Sequence, residues 1–246
     1  MKLLVINPNT TASMTATIAA AAGAAAAPGT EVIAATSAMG PVSIEGFYDE
    51  AFAVPGMLAA LRKGEADAAD AAVIACFDDT GLDAARSLAR IPVLGICEAG
   101  LSLASFLTPR IAIVTTMERS RVPLEHLVAR YGKSHTTTVR AADISVLSLE
   151  DPRSGARERL RHEIRLAIEH DRAEAILLGC AGMADLAKSF ETEFGLPVID
   201  GVGAAVKQAE ALVALGLQTS KHRTYAAPVP KTYHGVLAGF APVEAA

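Results

Sequence analysis

The stretch AAVIACFDDTGLDAARSLARIPVLGI, residues 71–96, decides how this chain is read. Residues 71–75 are uninterrupted apolar, as a parallel strand buried on both faces requires. Cys76 stands where that strand ends. A short polar loop follows, then a helix pattern, then a second apolar strand. Residues 174–201, EAILLGCAGMADLAKSFETEFGLPVIDG, repeat the arrangement. Cys180 follows Cys76 by 104 residues, Val198 follows Val93 by 105, and the strand ends at Asn7 and Thr115 are 108 apart. One offset fits three landmarks and predicts two similar halves.

Working outward, strands and helices alternate along the rest of the chain. Strands are expected at 3–6, 30–37, 92–97, 110–116 and 136–142, with helices near 12–27, 49–63, 98–107, 154–171 and 201–216. Thr10 or Thr11 is a candidate N-cap for the first helix. A further helix falls within MERSRVPLEHLVARYG, with Pro123 in its first turn, and Pro55 lies inside the helix over 49–63. The predicted fold class is therefore α/β, with two pseudo-symmetric parallel-sheet domains. Ligands of parallel sheets bind at the strand C-termini. Two such halves most simply face those ends across a cleft, which puts Cys76 and Cys180 on opposite walls. The loop 38–50, with two glycines and a proline, is expected to line that cleft.

Composition narrows the function classes. The chain has 246 residues, a net charge of −5, three cysteines and no tryptophan. Basic residues are dispersed, so there is no nucleic-acid footprint. No stretch reaches 18 uninterrupted apolar residues, so no membrane partner is expected. The N-terminus reads at once as a strand rather than a signal peptide, and three cysteines then point to reduced thiols in a cytoplasmic protein. The six histidines are scattered, so no metal is expected. Gly201-Val202-Gly203 lacks the third glycine of a dinucleotide fingerprint.

Two thiols on opposite faces of one carbon can exchange its proton. One, as thiolate, removes it; the other, as thiol, supplies one to the far face. The start of a helix favours a thiolate, and both cysteines precede a helix pattern. The carbanion must be held as an enolate, for which backbone N–H groups of residues 78–81 and 181–183 are candidates. No metal or organic cofactor is needed. A lone cysteine at a strand end is ordinarily a small buried hydrophobe, and Cys97, which has no partner in the other half, is read that way. Asp78 is read as a helix N-cap; a carboxylate beside Cys76 would otherwise raise the thiol pKa. The apolar tail segment GVLAGFAPV either covers a partner subunit or docks on its own domain. A non-catalytic two-lobed binding protein using the same cleft is the alternative from outside enzymes.

The sequence resembles the aspartate/glutamate/hydantoin racemase superfamily, most closely its hydantoin racemase branch. The resemblance rests on INPNT at the start, GPVSIEG at 40–46, IACFDDTGL around Cys76, VTT at 114–116, LGCAGMADL around Cys180, and the closing PVIDGV and LGLQTSK. It implies an isomerase that racemises 5-monosubstituted hydantoins without a cofactor, assembled as a homo-oligomer, a tetramer or hexamer. It implies a first domain of residues 1–96 plus about 207–246, and a second of 97–206. Cys76 and Cys180 take the acid/base roles, Cys76 on the D-enantiomer and Cys180 on the L-enantiomer. Asn7, Ser43, Ile44, Phe77, Asp79, Thr80, Thr115, Thr116, Gly182 and Met183 are implied to surround the substrate ring. The amino-acid racemase branch tends to carry a threonine soon after each cysteine and a histidine after the second; GCAGM has neither. The decarboxylase branch keeps one cysteine. Allantoin, a 5-ureido-hydantoin, is not separated from alkyl or aryl hydantoins by motif.

Overall fold

The structure, a computed structural model, describes residues 1–242. Eight parallel strands form two four-stranded sheets. The first contains β1 (Lys2–Asn7), β2 (Glu31–Thr36), β3 (Ala71–Ile74) and β4 (Val93–Gly95) in the order β2-β1-β3-β4. The second contains β5 (Ile111–Thr115), β6 (Thr137–Ala141), β7 (Ala175–Leu178) and β8 (Val198–Asp200) in the order β6-β5-β7-β8. The orders are the same once the halves are overlaid, as the repeat predicts. Register agrees too: Ile6 pairs with Ile74 next to Cys76, and Val114 pairs with Leu178 next to Cys180.

The helices fill three layers. Against the outer face of the first sheet lie α2 (Phe47–Ala66) and α3 (Leu82–Leu88), burying Met57, Leu61, Leu82 and Ala85 on Leu4, Ile6, Ala72 and Ile74. Against the outer face of the second lie α6 (Ala156–Glu169) and α7 (Ala187–Phe194), burying Leu160, Ile164 and Phe190 on Ala112, Val114, Ile176 and Leu178. Between the sheets run α1 (Ala12–Ala25), α4 (Ile96–Ala104), α5 (Arg121–Arg130) and α8 (Gly201–Ala214). Their apolar faces join both sheets into one continuous core, from Leu3 and Val5 through Ile18, Leu101 and Val206 to Ile113 and Leu177. Each such side chain stabilises the fold by about 1.5–3 kcal/mol when fully buried. Because one core spans both halves, their relative position is fixed by packing rather than by a linker.

The two last helices cross over. α4, which follows the first sheet, packs on β7, where a Cβ at Gly100 would lie 2.6 Å from Leu177 Cδ1. α8, which follows the second sheet, packs on α1 and β3. The tail then runs back along the first half: Thr219 donates from Nα to the Arg90 carbonyl and from Oγ1 to the Ile91 carbonyl, and Lys221 Nζ donates to the carbonyls of Arg86 and Ser87. Asp200 caps α8, accepting from Val202 and Gly203 N–H at 3.0 and 2.7 Å. Gly216, with φ +69°, follows the helix's C-terminal end.

Local differences from the sequence reading have local causes. Thr11 occupies the N-cap of α1 but its hydroxyl donates to the Val42 carbonyl at 2.6 Å, tying the 38–46 loop to the helix instead of capping. The strand expected over 92–97 stops at Gly95, and Cys97 lies in the first turn of α4. Among the described residues no helix is long and apolar enough to cross a membrane. In the tail segment, Gly235–Phe240 forms a 3₁₀ turn whose Val236 is 98 % exposed while Phe240 is half-buried; Val243 lies outside the described residues.

Candidate active site

Cys76 and Cys180 line one cavity at the C-terminal ends of the two sheets. The same turn holds each of them. The N–H three residues on, of Asp79 and of Met183, donates to the cysteine's own carbonyl at 3.0 and 3.1 Å. The N–H two residues on, of Asp78 and of Gly182, favours the thiolate form of each cysteine. The repeat in the sequence is therefore a repeat of this turn.

The helix starts themselves differ from expectation. After Cys180 comes a 3₁₀ segment, Ala181–Leu186, before α7. After Cys76 the chain makes a turn through Asp79 (φ +47°) and Gly81 (φ +67°), and α3 begins only at Leu82. No full helix dipole aims at Cys76. Burial pushes both thiols up, Cys76 well above the ordinary cysteine range and Cys180 to about 11. Asp78 pushes Cys76 further up, and Asp78 and Glu45 push Cys180 the same way. The resting pair is thus thiol and thiol.

The remaining residues divide. Ile44, Phe77, Thr115 and Thr116 line the cavity with the cysteines. The backbone N–H of Gly182 favours the Cys180 thiolate, as described. Thr80 is buried beside Cys76, and its hydroxyl favours that thiolate while making no other hydrogen bond. Asn7 is buried beneath the site: its side-chain amide donates to Asn9 Oδ1, the Thr11 carbonyl and Thr15 Oγ1, and so shapes the turn that presents Asn9. Ser43 is half-buried outside the lining, and Met183 is fully buried in the core under α6 and α7.

Asp79 is corrected in role. Its carboxylate turns away from the cavity and accepts from Cys97 and Glu98 N–H, both at 2.9 Å, and from Tyr131 hydroxyl at 2.6 Å. It caps α4, and a Cβ at Gly95 would lie 2.2 Å from its Oδ1. Burial still pushes its pKa up to about 7, against the pull of those three donors. Asp78, read as a helix cap, caps nothing; it faces the cavity instead. Asn9, Met14, Ser120 and Val146 also line the cavity, with Ala75, Gly179 and Ala181 beside the cysteines, and the first four were not anticipated. Only Asn9, inside the INPNT motif, left a trace in the sequence.

The cavity is small, about 30 Å³, against roughly 300–1,000 Å³ for ligand pockets generally. Glu45 Oε1 accepts from Val146 N–H at 3.0 Å, so a side chain of one half meets the backbone of the other beside the cavity that Val146 lines. Among the described residues no group of three or more His, Cys, Asp or Glu side chains is placed to hold a metal ion.

Two parallel α/β halves, related by pseudo-symmetry and each lending a cysteine to one cavity, define a two-domain α/β architecture of the racemase kind. The chain belongs to the Asp/Glu/Hydantoin racemase family, whose model matches residues 3–209. It is 49 % identical to a hydantoin racemase of Pseudomonas sp. (strain NS671) over 242 residues, 98 % of this chain and 97 % of that one. It is likewise 49 % identical to a hydantoin racemase of Rhizobium meliloti over 236 residues, 96 % and 98 % of the two chains. An allantoin racemase from Klebsiella pneumoniae superposes with a TM-score of 0.96 at 46 % identity, covering 99 % of this chain and all of that one.

Proposed function

We propose that this protein racemises 5-monosubstituted hydantoins at C5, with Cys76 and Cys180 as the two acid/base groups and no cofactor. The observation that carries this reading is the matched pair of cysteine turns lining one cavity. One thiolate takes the C5 proton; the electron pair moves into the adjacent carbonyl as an enolate; the opposite thiol returns a proton to the other face. A backbone N–H, of Asp78 or of Gly182, favours the thiolate at each cysteine, so either can hold the negative charge. The hydroxyls of Thr116 and Ser120 lie on the wall as neutral donors toward the enolate oxygen. Cys76 acts on the D-enantiomer and Cys180 on the L-enantiomer. Residues 1–96 with about 207–246 form one domain and 97–206 the other, the cavity lying between them. Aspartate or glutamate as substrate is disfavoured, because the lining carries Asp78 and no cation.

A cytoplasmic homo-oligomer, tetramer or hexamer, is part of the same reading. It is supported by apolar surface left open on the single chain: Tyr48, Phe52 and Val236 are 76, 58 and 98 % exposed. The test of function is loss of optical rotation from enantiopure 5-substituted hydantoins, allantoin included, with purified protein. Racemisation above the spontaneous rate is expected with at least one substituent. No acceleration across benzyl, isobutyl, methylthioethyl and ureido substituents overturns the reading and leaves a binding protein.

A further inference from the structure

Asp78 is the one carboxylate on the cavity wall. The repeat gives it a counterpart two residues after Cys180, and that counterpart is Gly182. A Cβ at Gly182 would lie 3.2 Å from Leu149 Cδ1 and 3.7 Å from Cys180 Sγ, so the second wall leaves little room for a side chain there. The two walls therefore differ at one matched place: the Cys76 wall has a carboxylate and the Cys180 wall has none. The Asp78 carboxylate makes no hydrogen bond or ion pair among the described residues. Its charged neighbours are Glu50 and Asp79, and its charge acts on both thiols, which share the cavity with it. Burial and those two carboxylates push its pKa up to about 7.

A half-buried polar group without a partner is costly, and this one also disfavours a thiolate at both cysteines. It weakens both bases, so proton abstraction is not what it serves. Its partner is a donor brought into the cavity. The other polar side chains there are committed or neutral. Thr115 hydroxyl donates to the Gly179 carbonyl, and the Asn9 amide is used within the turn that Asn7 shapes. Substrate C5 must sit between the thiols, so a carboxylate sharing the cavity with both lies within reach of atoms bonded to C5. The ring N1–H is common to every hydantoin and does not discriminate; an N–H in the 5-substituent does.

We propose that Asp78 is a specificity-determining residue, accepting a hydrogen bond from an exocyclic N–H of the 5-substituent, so that the site prefers a 5-ureido substituent to an alkyl one. This rests on the hydantoin racemase reading above. The ureido and isobutyl groups have the same heavy-atom branching and similar size, and differ in their N–H and C=O groups. Allantoin and 5-isobutylhydantoin are therefore a matched pair.

The experiment compares kcat/KM for that pair in the wild type, Asp78→Asn and Asp78→Gly, following optical rotation above the spontaneous rate. A ratio taken within one preparation is independent of how much protein is active. The ratio of allantoin to isobutylhydantoin is expected to exceed one in the wild type and to fall about 10- to 100-fold in Asp78→Gly, with Asp78→Asn between them. Equal losses on both substrates, or an unchanged ratio, overturn the assignment. If Asp78→Asn does not fold, Asp78→Gly, which copies the other wall, still gives the ratio. A wild type inert toward this pair and the other hydantoins refutes the racemase reading itself, a separate outcome.

Discussion

Replacing Asp79 with alanine tests whether this carboxylate builds the site rather than binds substrate. Three donors depend on it: Cys97 and Glu98 N–H at the start of α4, and the Tyr131 hydroxyl at the end of α5. Losing an N-cap costs about 1 kcal/mol, and each buried donor left without a partner costs roughly 1–3 kcal/mol more. Removing a carboxylate that burial has already pushed up to about 7 offsets part of this. The net expectation is a loss of about 3 kcal/mol. For a chain of this size that lowers Tm by about 6–12 °C. The pH dependence carries a sign. The folded pKa lies above the ordinary 3.8, so the group's titration contributes stability in full below about pH 4, and that contribution is lost as pH rises through 7. Asp79→Ala therefore differs from wild type more at pH 5 than at pH 8; Asp78, which titrates in the same range, is present in both proteins. Thermal unfolding by circular dichroism at the two pH values reads this directly. Asp79→Asn is also destabilised, because its amide N–H groups would face donors. A Tm within 1 °C of wild type, or a difference independent of pH, refutes the reasoning.

Two further expectations follow from the thiols. The proposed mechanism needs one thiolate and one thiol, and both are pushed up, Cys180 to about 11. The limiting thiolate fraction then rises through neutrality, so kcat/KM is expected to climb nearly tenfold per pH unit from 7 to 9; a bell centred near 7 contradicts this. Cys97 is fully buried in the first turn of α4 and absent from the cavity lining. Cys97→Ala is expected to keep racemase activity within about threefold while losing about 1 kcal/mol of stability for the small void it leaves. A loss of activity as large as that for Cys76 or Cys180 would place it in the reaction.

What could be read from the sequence was what repeats locally. Buried parallel strands appear as apolar runs, and the 104-residue spacing of Cys76 and Cys180 announced two similar halves and a cavity lined by both cysteines. The Asp200 cap of α8 is encoded two and three residues from the groups it holds, so it too is visible. Its counterpart in the other half is not. α4 borrows its cap from Asp79, in the loop after Cys76, and Asp79 also reaches Tyr131 across 52 residues. Nothing in FDD says which aspartate turns inward. That is settled by the left-handed backbone at Asp79 and by the room that Gly95 leaves for its carboxylate. Met14 and Val146 join the cavity from elements whose sequence signals only packing. The pairing of the halves explains that: the wall of each comes partly from the other.

The central claim is that each thiol serves one face of C5. Its most direct test is deuterium uptake at C5 in heavy water by Cys76→Ser and Cys180→Ser, starting from each pure enantiomer. Both variants should lose racemisation, with Cys180→Ser still exchanging the D-enantiomer and Cys76→Ser the L-enantiomer. Racemisation at wild-type rates in both variants would contradict the account.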